Sequence, residues 1–370
     1  MLRFALVLVA LLTIACSQSG APGDGGPQAD PTKPPPPPSL LHGFQIDFGH
    51  DYERALKLTR EAGFGRVKLQ VRWVDMEPTK GKIDWTYLDK VVDTANKQGV
   101  QIMMSVTAAP LWSRPSGSTA ATDGPPSDPK LFADFLTSLA TRYKGKVTAY
   151  EIWNEQNSNR EWAGPTGVSA KEYVALLKVS HAAVKAADPS ALVVTGAPTP
   201  AGDVPGGSRD DVAYFREMYE AGMKGYFDAV GVHASGFNNA PELDPADNAV
   251  LTRSGQFHNH RSFYFRNFEF YRKIMEEQGD AAKPLWFTEF GWASGDAASE
   301  WGYAKEISEQ AQADYLVKAF QIGKERGYVG AMFVWNLNFF DYDFAKRAFA
   351  VLKPDWSARS SYKALAAMPK

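Results

Sequence analysis

The sequence predicts a barrel of eight parallel strands, each followed by a helix, and two observations lead to this fold class. Short apolar runs alternate with longer segments whose apolar residues recur at helical spacing, which implies a parallel sheet. Eight such repeats occupy about 330 residues, a length that fits a (β/α)8 barrel with enlarged loops. The competing fold, an open doubly wound sheet, usually has a glycine-rich phosphate turn after its first strand, and Gly43–Gly49 contains no such turn.

The repeats can be followed in order along the chain from their apolar spacing. The segment from Ala170 to Ala187 is typical, because Tyr173, Leu176, Leu177 and Val184 fall on one helical face. The predicted strands are Gly43–Asp47, Arg66–Trp73, Gln101–Val106, Val147–Trp153, Leu192–Thr195, Ala229–His233, Leu285–Glu289 and Gly330–Trp335. The predicted helices are Tyr52–Ala62, Tyr87–Gln98, Pro129–Tyr143, Ala170–Ala187, Asp211–Ala221, Phe263–Gln278, Glu306–Arg326 and Ser361–Met368.

The amino terminus has the pattern of an export signal. Arg3 supplies a positive charge, and the apolar run that follows from Phe4 to Ile14 is too short to span a bilayer. The run ends at Leu12–Cys16, which resembles the lipobox of bacterial lipoproteins, and this resemblance implies lipidation of Cys16. The alternative is an ordinary secretory signal that contains a cysteine. We therefore expect an exported protein, either secreted or anchored in a membrane at the cell surface or in the periplasm.

A spacer separates this signal from the barrel. Residues 16–40 consist largely of Ser, Gly, Pro, Gln and Asp and end in a proline run, a composition that cannot bury apolar surface. We predict a signal peptide over residues 1–15, an unfolded spacer over 16–40 and one barrel domain over 41–370.

Composition excludes several classes of protein. The 370 residues carry 40 basic and 42 acidic side chains, so no basic excess indicates a nucleic-acid partner. The single cysteine excludes a disulfide-built fold and a thiolate zinc site. We expect a monomer that uses no cofactor and no metal.

Two glutamates stand at predicted strand ends, where the active sites of such barrels lie. Glu155 ends the fourth strand and Glu289 ends the seventh, on opposite sides of the barrel mouth. Two facing carboxyl groups are the machinery of glycoside hydrolysis, provided that one is protonated and the other ionised. Asn154 could bind a sugar hydroxyl beside Glu155, although both side chains reach the cleft only if the strand has ended or bulged there.

Further side chains at the strand ends complete the candidate site. Trp335, at the end of the eighth strand, could be a stacking floor for a sugar ring. Arg72 could keep Glu289 ionised through charge pairing. The loop residues Trp112 and Trp292 could form further sugar subsites, or they could simply pack the loops. Asp47, at the end of the first strand, is also placed at the mouth.

The chain resembles clan A of the glycoside hydrolases, (β/α)8 enzymes with glutamates after strands 4 and 7. The resemblance covers nearly all of residues 41–370. It rests on the segments Trp153–Glu155, Thr288–Trp292, Val334–Asn336 and Trp73–Trp85. Family 39 is the first choice within the clan and family 5 the second, because no histidine ends the third strand as it often does in family 5.

The resemblance implies a retaining mechanism with assigned roles. Glu155 would be the acid/base, Glu289 the nucleophile, Asn154 the partner of the 2-hydroxyl, and His233 a neighbour of the nucleophile. Many members have a tyrosine shortly after this histidine, whereas His233 is followed by Ala-Ser-Gly-Phe. Tyr264 is the candidate to replace it.

We therefore expect a retaining, endo-acting hydrolase of an extracellular or cell-surface polysaccharide. Two alternatives share the scaffold: a carbohydrate-binding lipoprotein without activity, and a transglycosylase that excludes water from the second step. A fold does not distinguish between these functions.

Overall fold

The computed structural model describes residues 39–295, 299–340 and 344–370. The predicted signal peptide, Cys16 and most of the spacer lie outside the described residues. No helix within the described part of the chain combines the length and the apolar character that crossing a membrane requires.

Eight parallel strands form the sheet, in the spatial order 5-4-3-2-1-8-7-6. Adjacent pairs are hydrogen-bonded in parallel register throughout this order, and a parallel bridge between Val194 and Ala229 brings the two outer strands together. The sheet therefore closes into the predicted (β/α)8 barrel. The strands are β1 Leu41–Gln45, β2 Arg66–Arg72, β3 Gln101–Thr107, β4 Ala149–Ile152, β5 Leu192–Thr195, β6 Val230–His233, β7 Leu285–Phe290 and β8 Val329–Val334.

Helices follow the strands and cover the outside of the sheet. Capping side chains mark several starts: Ser169 accepts a hydrogen bond from the backbone of Glu172, and Ser308 does the same for Ala311. The helices are α1 Tyr52–Glu61, α2 Trp73–Met76, α3 Thr86–Lys97, α4 Pro129–Arg142, α5 Ala170–Ala187, α6 Asp211–Glu220, α7 Asn248–Leu251, α8 Phe268–Glu277, α9 Glu309–Arg326, α10 Phe344–Phe349 and α11 Ser360–Ala367.

Two predicted helices begin later than their apolar spacing suggested. The helix predicted from Phe263 starts at Phe268, because Arg261–Phe263 and Phe265–Asn267 are separate 3₁₀ turns joined by an extended Tyr264. The helix predicted from Glu306 starts at Glu309, where the Ser308 cap satisfies the first free backbone amides.

Apolar side chains pack in two layers, one outside the sheet and one inside the barrel. The larger cluster lies between the sheet and the helices, and its buried members include Phe44 and Leu69. A smaller cluster brings together residues from strands all round the sheet, so it lies inside the barrel: Met103, Ala149, Val194, Ala229, Trp286, Ala331 and Phe333. Gly43 is required there, because a Cβ at this position would lie 2.4 Å from the Phe333 ring. This packing leaves the strand ends as the place for a polar site.

Candidate active site

The turn after β4 presents both Asn154 and Glu155 at the barrel mouth. Strand β4 ends at Ile152, and the next residues leave extended geometry, with φ of 70° at Trp153 and 47° at Glu155. The backbone N–H of Glu155 donates to Ala197 O at 2.9 Å, which fixes the turn against the chain after β5. The strand has therefore ended before Asn154 and Glu155. Both side chains can then reach the cleft, which a regular strand would not allow because neighbouring side chains point to opposite faces.

Glu289 approaches Glu155 from β7, with His233 between them. The ladder between β6 and β7 is irregular at Val232 and His233, and this irregularity pairs His233 with Glu289. His233 Nδ1 lies 3.0 Å from Glu155 Oε1, and His233 Nε2 lies 3.9 Å from Glu289 Oε2. One ligand atom from each of the three side chains lies within 4.8 Å of the others. The two carboxylates thus face one another across one buried imidazole.

Lys68 is the partner of Glu289. Its Nζ donates to Glu289 Oε1 at 2.9 Å and lies 3.0 Å from Glu151 Oε2, with no exposed surface of its own. Burial alone would lower the pKa of Lys68, but the charges of Glu151 and Glu289 outweigh burial and raise that pKa. A permanent positive charge therefore lies beside the Glu289 carboxylate.

The prediction that Arg72 pairs with Glu289 is wrong. Arg72 binds Asp123 through two nitrogens, at 2.6 and 3.1 Å, and contacts Asp75 at 3.2 Å. Arg72 and Lys68 are four residues apart on β2, so alternation gives both the same face. The two residues differ only in their depth in the barrel. Arg72 is the last residue of the strand, and its side chain therefore meets the loop that carries Asp123.

Glu155 has a different cationic partner, Arg160, on the loop after β4. An Arg160 N–H donates to Glu155 Oε2, and Arg160 Nε lies 3.5 Å from Glu161 Oε1. Burial would raise the pKa of Glu155, but the charge of Arg160 and the hydrogen bond to His233 lower it to about 2. Burial and the neighbouring charge of Glu155 raise the pKa of Glu161 to about 7.

His233 is held between these two charges. Burial disfavours the imidazolium, yet the carboxylates of Glu289 and Glu155 outweigh burial and raise the pKa of His233. Although Glu155, His233 and Glu289 could supply three ligands to one cation, Lys68 and Arg160 already neutralise the two carboxylates. This donor set therefore suits acid–base chemistry better than metal binding.

Of the remaining predicted residues, four keep a place in the candidate site, and two that are fully buried do not. Asn154 is buried at the mouth, and its Oδ1 has no hydrogen-bond partner among the described residues. Trp335 is half-buried against Phe349, and Trp112 is half-buried with its indole N–H on Glu77 O. Asp47 lies buried just after β1, where it accepts a hydrogen bond from Gly49 N and contacts His50.

Trp292 and Tyr264 are not available to a substrate, so their prediction as binding residues is wrong. Trp292 is fully buried, and its indole N–H donates to Asn239 O at 2.8 Å. Tyr264 is also fully buried, and its hydroxyl donates to the backbone carbonyl of His258 at 2.8 Å. Both side chains stabilise the long loop after β6 rather than line the cleft.

The sequence reasoning missed Lys68, Arg160 and Glu161. A signal existed for Lys68, because a lysine in the middle of a buried parallel strand needs a charged partner inside the barrel. Glu151, at an equivalent depth in β4, is that partner. No comparable signal marked Arg160, whose position depends on the fold of the loop.

Comparisons with known proteins identify the family. The family model described as cellulase (glycosyl hydrolase family 5) matches residues 35–339, most of the chain. The chain belongs to glycosyl hydrolase family 5. It is a glycoside hydrolase of clan A, so the predicted clan, fold class and enzyme class are confirmed. The matching family is the one that the sequence analysis placed second.

Solved structures of other glycoside hydrolases share the fold. A family 39 enzyme from Bacteroides cellulosilyticus WH2 superposes with a TM-score of 0.66 at 23% identity, over 88% of this chain and 62% of that one. GH5_18 from Streptomyces cattleya has the same TM-score at 15% identity, over 89% and 79%. The β-galactosidase BbgII of Bifidobacterium bifidum is 29% identical over 27% of this chain and 18% of its own length.

Proposed function

We propose that this glycoside hydrolase cleaves its substrate with retention of anomeric configuration. The observation that carries the proposal is the separation of the two carboxylates, which bring ligand oxygens within 4.8 Å of one another. Retaining enzymes hold their carboxyl groups about 5–5.5 Å apart, whereas inverting enzymes leave roughly 6.5–9.5 Å for a water molecule. Carboxylate oxygens that approach within 4.8 Å fit the shorter, retaining separation better than the longer one.

Glu289 is the nucleophile in this proposal, and Glu155 is the acid/base. Glu289 attacks the anomeric carbon while the bond to the leaving oxygen breaks, and that oxygen takes the Glu155 proton. Water then attacks the anomeric carbon and gives its proton to Glu155, while the bond from that carbon to Glu289 breaks and releases Glu289 as a carboxylate. The ammonium of Lys68, 2.9 Å from Glu289, supports the anionic form that both attacks and departs.

The substrate in this proposal is a polysaccharide outside the cytoplasm. Asn154, whose Oδ1 accepts no hydrogen bond from any described residue, is suited to bind the 2-hydroxyl of the sugar, and the half-buried ring of Trp335 is suited to pack on its apolar face. Endo action is part of the proposal and is supported by the half-buried ring of Trp112. The buried Trp292 gives it no support.

The proposed location rests on the amino-terminal sequence. A monomer with lipidated Cys16 would be held at a membrane surface by a proline-rich spacer, with the barrel free to reach a polymer. The same sequence, if it is cleaved as an ordinary signal, would release a secreted enzyme.

The test compares the full-length chain with its Glu289→Gln variant on a panel of plant and bacterial polysaccharides. We expect oligosaccharides from the wild type with the retained anomer by NMR, and a loss of about 10⁴-fold or more in the variant. Glu220→Gln, an exposed change on α6, is the matched control and should remain fully active.

Other outcomes would contradict the proposal in distinct ways. An inverted anomer, or full activity in Glu289→Gln, would refute the retaining mechanism with this nucleophile. Products longer than the substrate would indicate a transglycosylase. Tight binding of a glycan that is never cleaved, measured by calorimetry, would indicate a binding protein.

A further inference from the structure

The contact between Arg160 and Glu155 conflicts with the role of a general acid. A general acid must carry a proton when the leaving oxygen departs, and the guanidinium favours the unprotonated carboxylate. With a pKa of about 2, Glu155 is ionised at any ordinary pH. The inference that follows rests on the proposed function, in which Glu155 is that acid. Something must therefore draw Arg160 away before the first step.

Arg160 is placed so that it can leave Glu155. Its side chain is 63% exposed, whereas that of Glu155 is 12% exposed. The backbone beneath it is fixed, because Asn159 N donates to Gly207 O at 2.8 Å and Trp162 N donates to Ser158 O at 2.8 Å. The side chain can thus change partner while the loop stays in place.

The position of Arg160 relates it to the leaving group. Glu155 Oε1 is directed to His233 and the nucleophile side, and Oε2 is directed to Arg160. Because the acid must contact the leaving oxygen, the sugar on the leaving-group side lies next to Glu155 and within reach of the guanidinium.

The chemistry of the contact selects the ligand that can displace it. A bond between guanidinium and carboxylate is charge-assisted and about twice as strong as one between neutral groups, so sugar hydroxyls compete poorly for Arg160. A second anion can replace the Glu155 carboxylate as the partner of Arg160 through bonds of the same kind. Its negative charge then compensates for the one that Glu155 loses when it takes up a proton. Glu161 does not serve, since it lies 3.5 Å away and burial favours its neutral form.

We propose that Arg160 binds a carboxylate or sulfate group on the leaving-group sugar, and that this exchange releases Glu155 for protonation. The substrate class is then an acidic polysaccharide. Within the part of the chain that the structure describes, the charged and titratable groups that face Glu155 are Arg160 and Glu161 on its own loop, His233 on β6, Glu289 on β7 and, beyond Glu289, Lys68 on β2. Among these, Arg160 is more than half exposed, whereas His233 and Lys68 are buried.

The first experiment measures the protonation of Glu155 without a glycan substrate. The full-length chain is labelled with ¹³C at the glutamate carboxyl carbon, and Glu155 is assigned by the loss of its signal in Glu155→Gln. We expect sodium glucuronate or sodium sulfate to move the titration midpoint of Glu155 upward by about one pH unit or more. Glucose, and sodium chloride at equal ionic strength, should leave it unchanged.

The variants separate this inference from a general salt effect. Arg160→Gln should start with a raised midpoint and show no response to either anion, and Arg160→Lys should keep a low midpoint. Arg216→Gln, which removes an exposed arginine paired with Glu277, is the matched control and should behave as the wild type. The anion that acts at the lower concentration identifies the group, uronate or sulfate. No shift with either anion, or an equal shift in Arg160→Gln, would overturn the inference.

Turnover distinguishes failure of this inference from failure of the proposed function. We expect the wild type to prefer uronate- or sulfate-bearing glycans over their neutral counterparts, and Arg160→Gln to lose about tenfold or more in kcat/KM on them. Cleavage of a neutral glycan that Arg160→Gln performs equally well would refute the inference and leave the retaining mechanism intact. Activity in Glu289→Gln would refute the mechanism, and the anion titration would still decide the role of Arg160.

Discussion

The two carboxylates of the site each have a cationic partner, but the two partners differ in burial. Glu289 is paired with Lys68, a fully buried residue of β2 that is also paired with Glu151. Glu155 is paired with Arg160, a loop residue whose side chain is 63% exposed. Removing one partner of a buried ion pair strongly destabilises the folded protein, because the other charge stays buried without a partner. An ion pair with an exposed partner can be separated at little cost in free energy. One pairing is therefore permanent and the other exchangeable.

This difference matches what the proposed chemistry requires of each group. A nucleophile is needed as an anion in both steps, so a fixed positive charge suits Glu289. An acid/base has to alternate between protonated and ionised forms, so a removable positive charge suits Glu155. Three experiments test the comparison, from the largest expected effect to the smallest.

Loss of Lys68 should have the largest effect. Lys68→Met leaves Glu151 and Glu289 buried beside one another without a cation, and we expect the free energy of unfolding to fall by about 3–5 kcal/mol. Urea denaturation measures this loss. Adding Glu151→Gln to Lys68→Met removes one of the two charges and should restore part of the stability. A loss below about 1 kcal/mol in Lys68→Met would remove the basis of the comparison.

His233 connects the two sides and should have an intermediate effect. His233→Gln removes a buried bond to a charged group, and we expect a loss of about 1.5–3 kcal/mol at pH 6. Because folding raises the pKa of His233, its stabilisation is fully present below about 6.5 and is lost as the pH rises through the raised folded value. The difference between wild type and variant should therefore shrink in alkali. A difference in stability that does not depend on pH would show that the variant loses side-chain packing and not the charged interaction.

Arg160 should have the smallest effect on stability. The Arg160 side chain is largely exposed and Glu155 keeps its bond to His233, so Arg160→Gln should lower the free energy of unfolding at pH 7 by about 1 kcal/mol or less. Folding lowers the pKa of Glu155 from 4.5 to about 2, so this stabilisation is present above 4.5 and is lost as the pH falls toward 2. Urea unfolding at pH 3, 5 and 7 should show less acid sensitivity in the variant. An effect as large as that of Lys68→Met would contradict the comparison.

The fold was predictable because each repeat has its own local pattern. Alternation of apolar runs defined all eight strands, and the Ala170–Ala187 helix was placed with correct bounds, because its apolar face and its Ser169 cap agree. The glutamates could be found because the carboxyl ends of parallel strands meet at one edge of the barrel.

The rest of the site depends on distances between strands and loops that spacing does not encode. Arg72 and Lys68 share a face of β2, and only the barrel decides which of them meets Glu289. Trp292 and Trp335 both follow strand ends, yet the first is buried under the β6 loop and the second is half-buried. Loop packing separates these cases, and it is set by contacts between segments far apart in the chain.

The bridge between Val194 and Ala229 has a consequence for how the site is assembled during folding. Strands β5 and β6 meet there through few backbone bonds, whereas β2 and β3 are paired along all seven residues of each strand. Glu155 follows β4 on one side of this junction, and His233 and Glu289 lie on β6 and β7 on the other. An unclosed sheet would hold these residues on separate arcs, so the two carboxylates meet only when the barrel closes. Closure of the barrel at this junction is therefore also the step that brings the two carboxylates together.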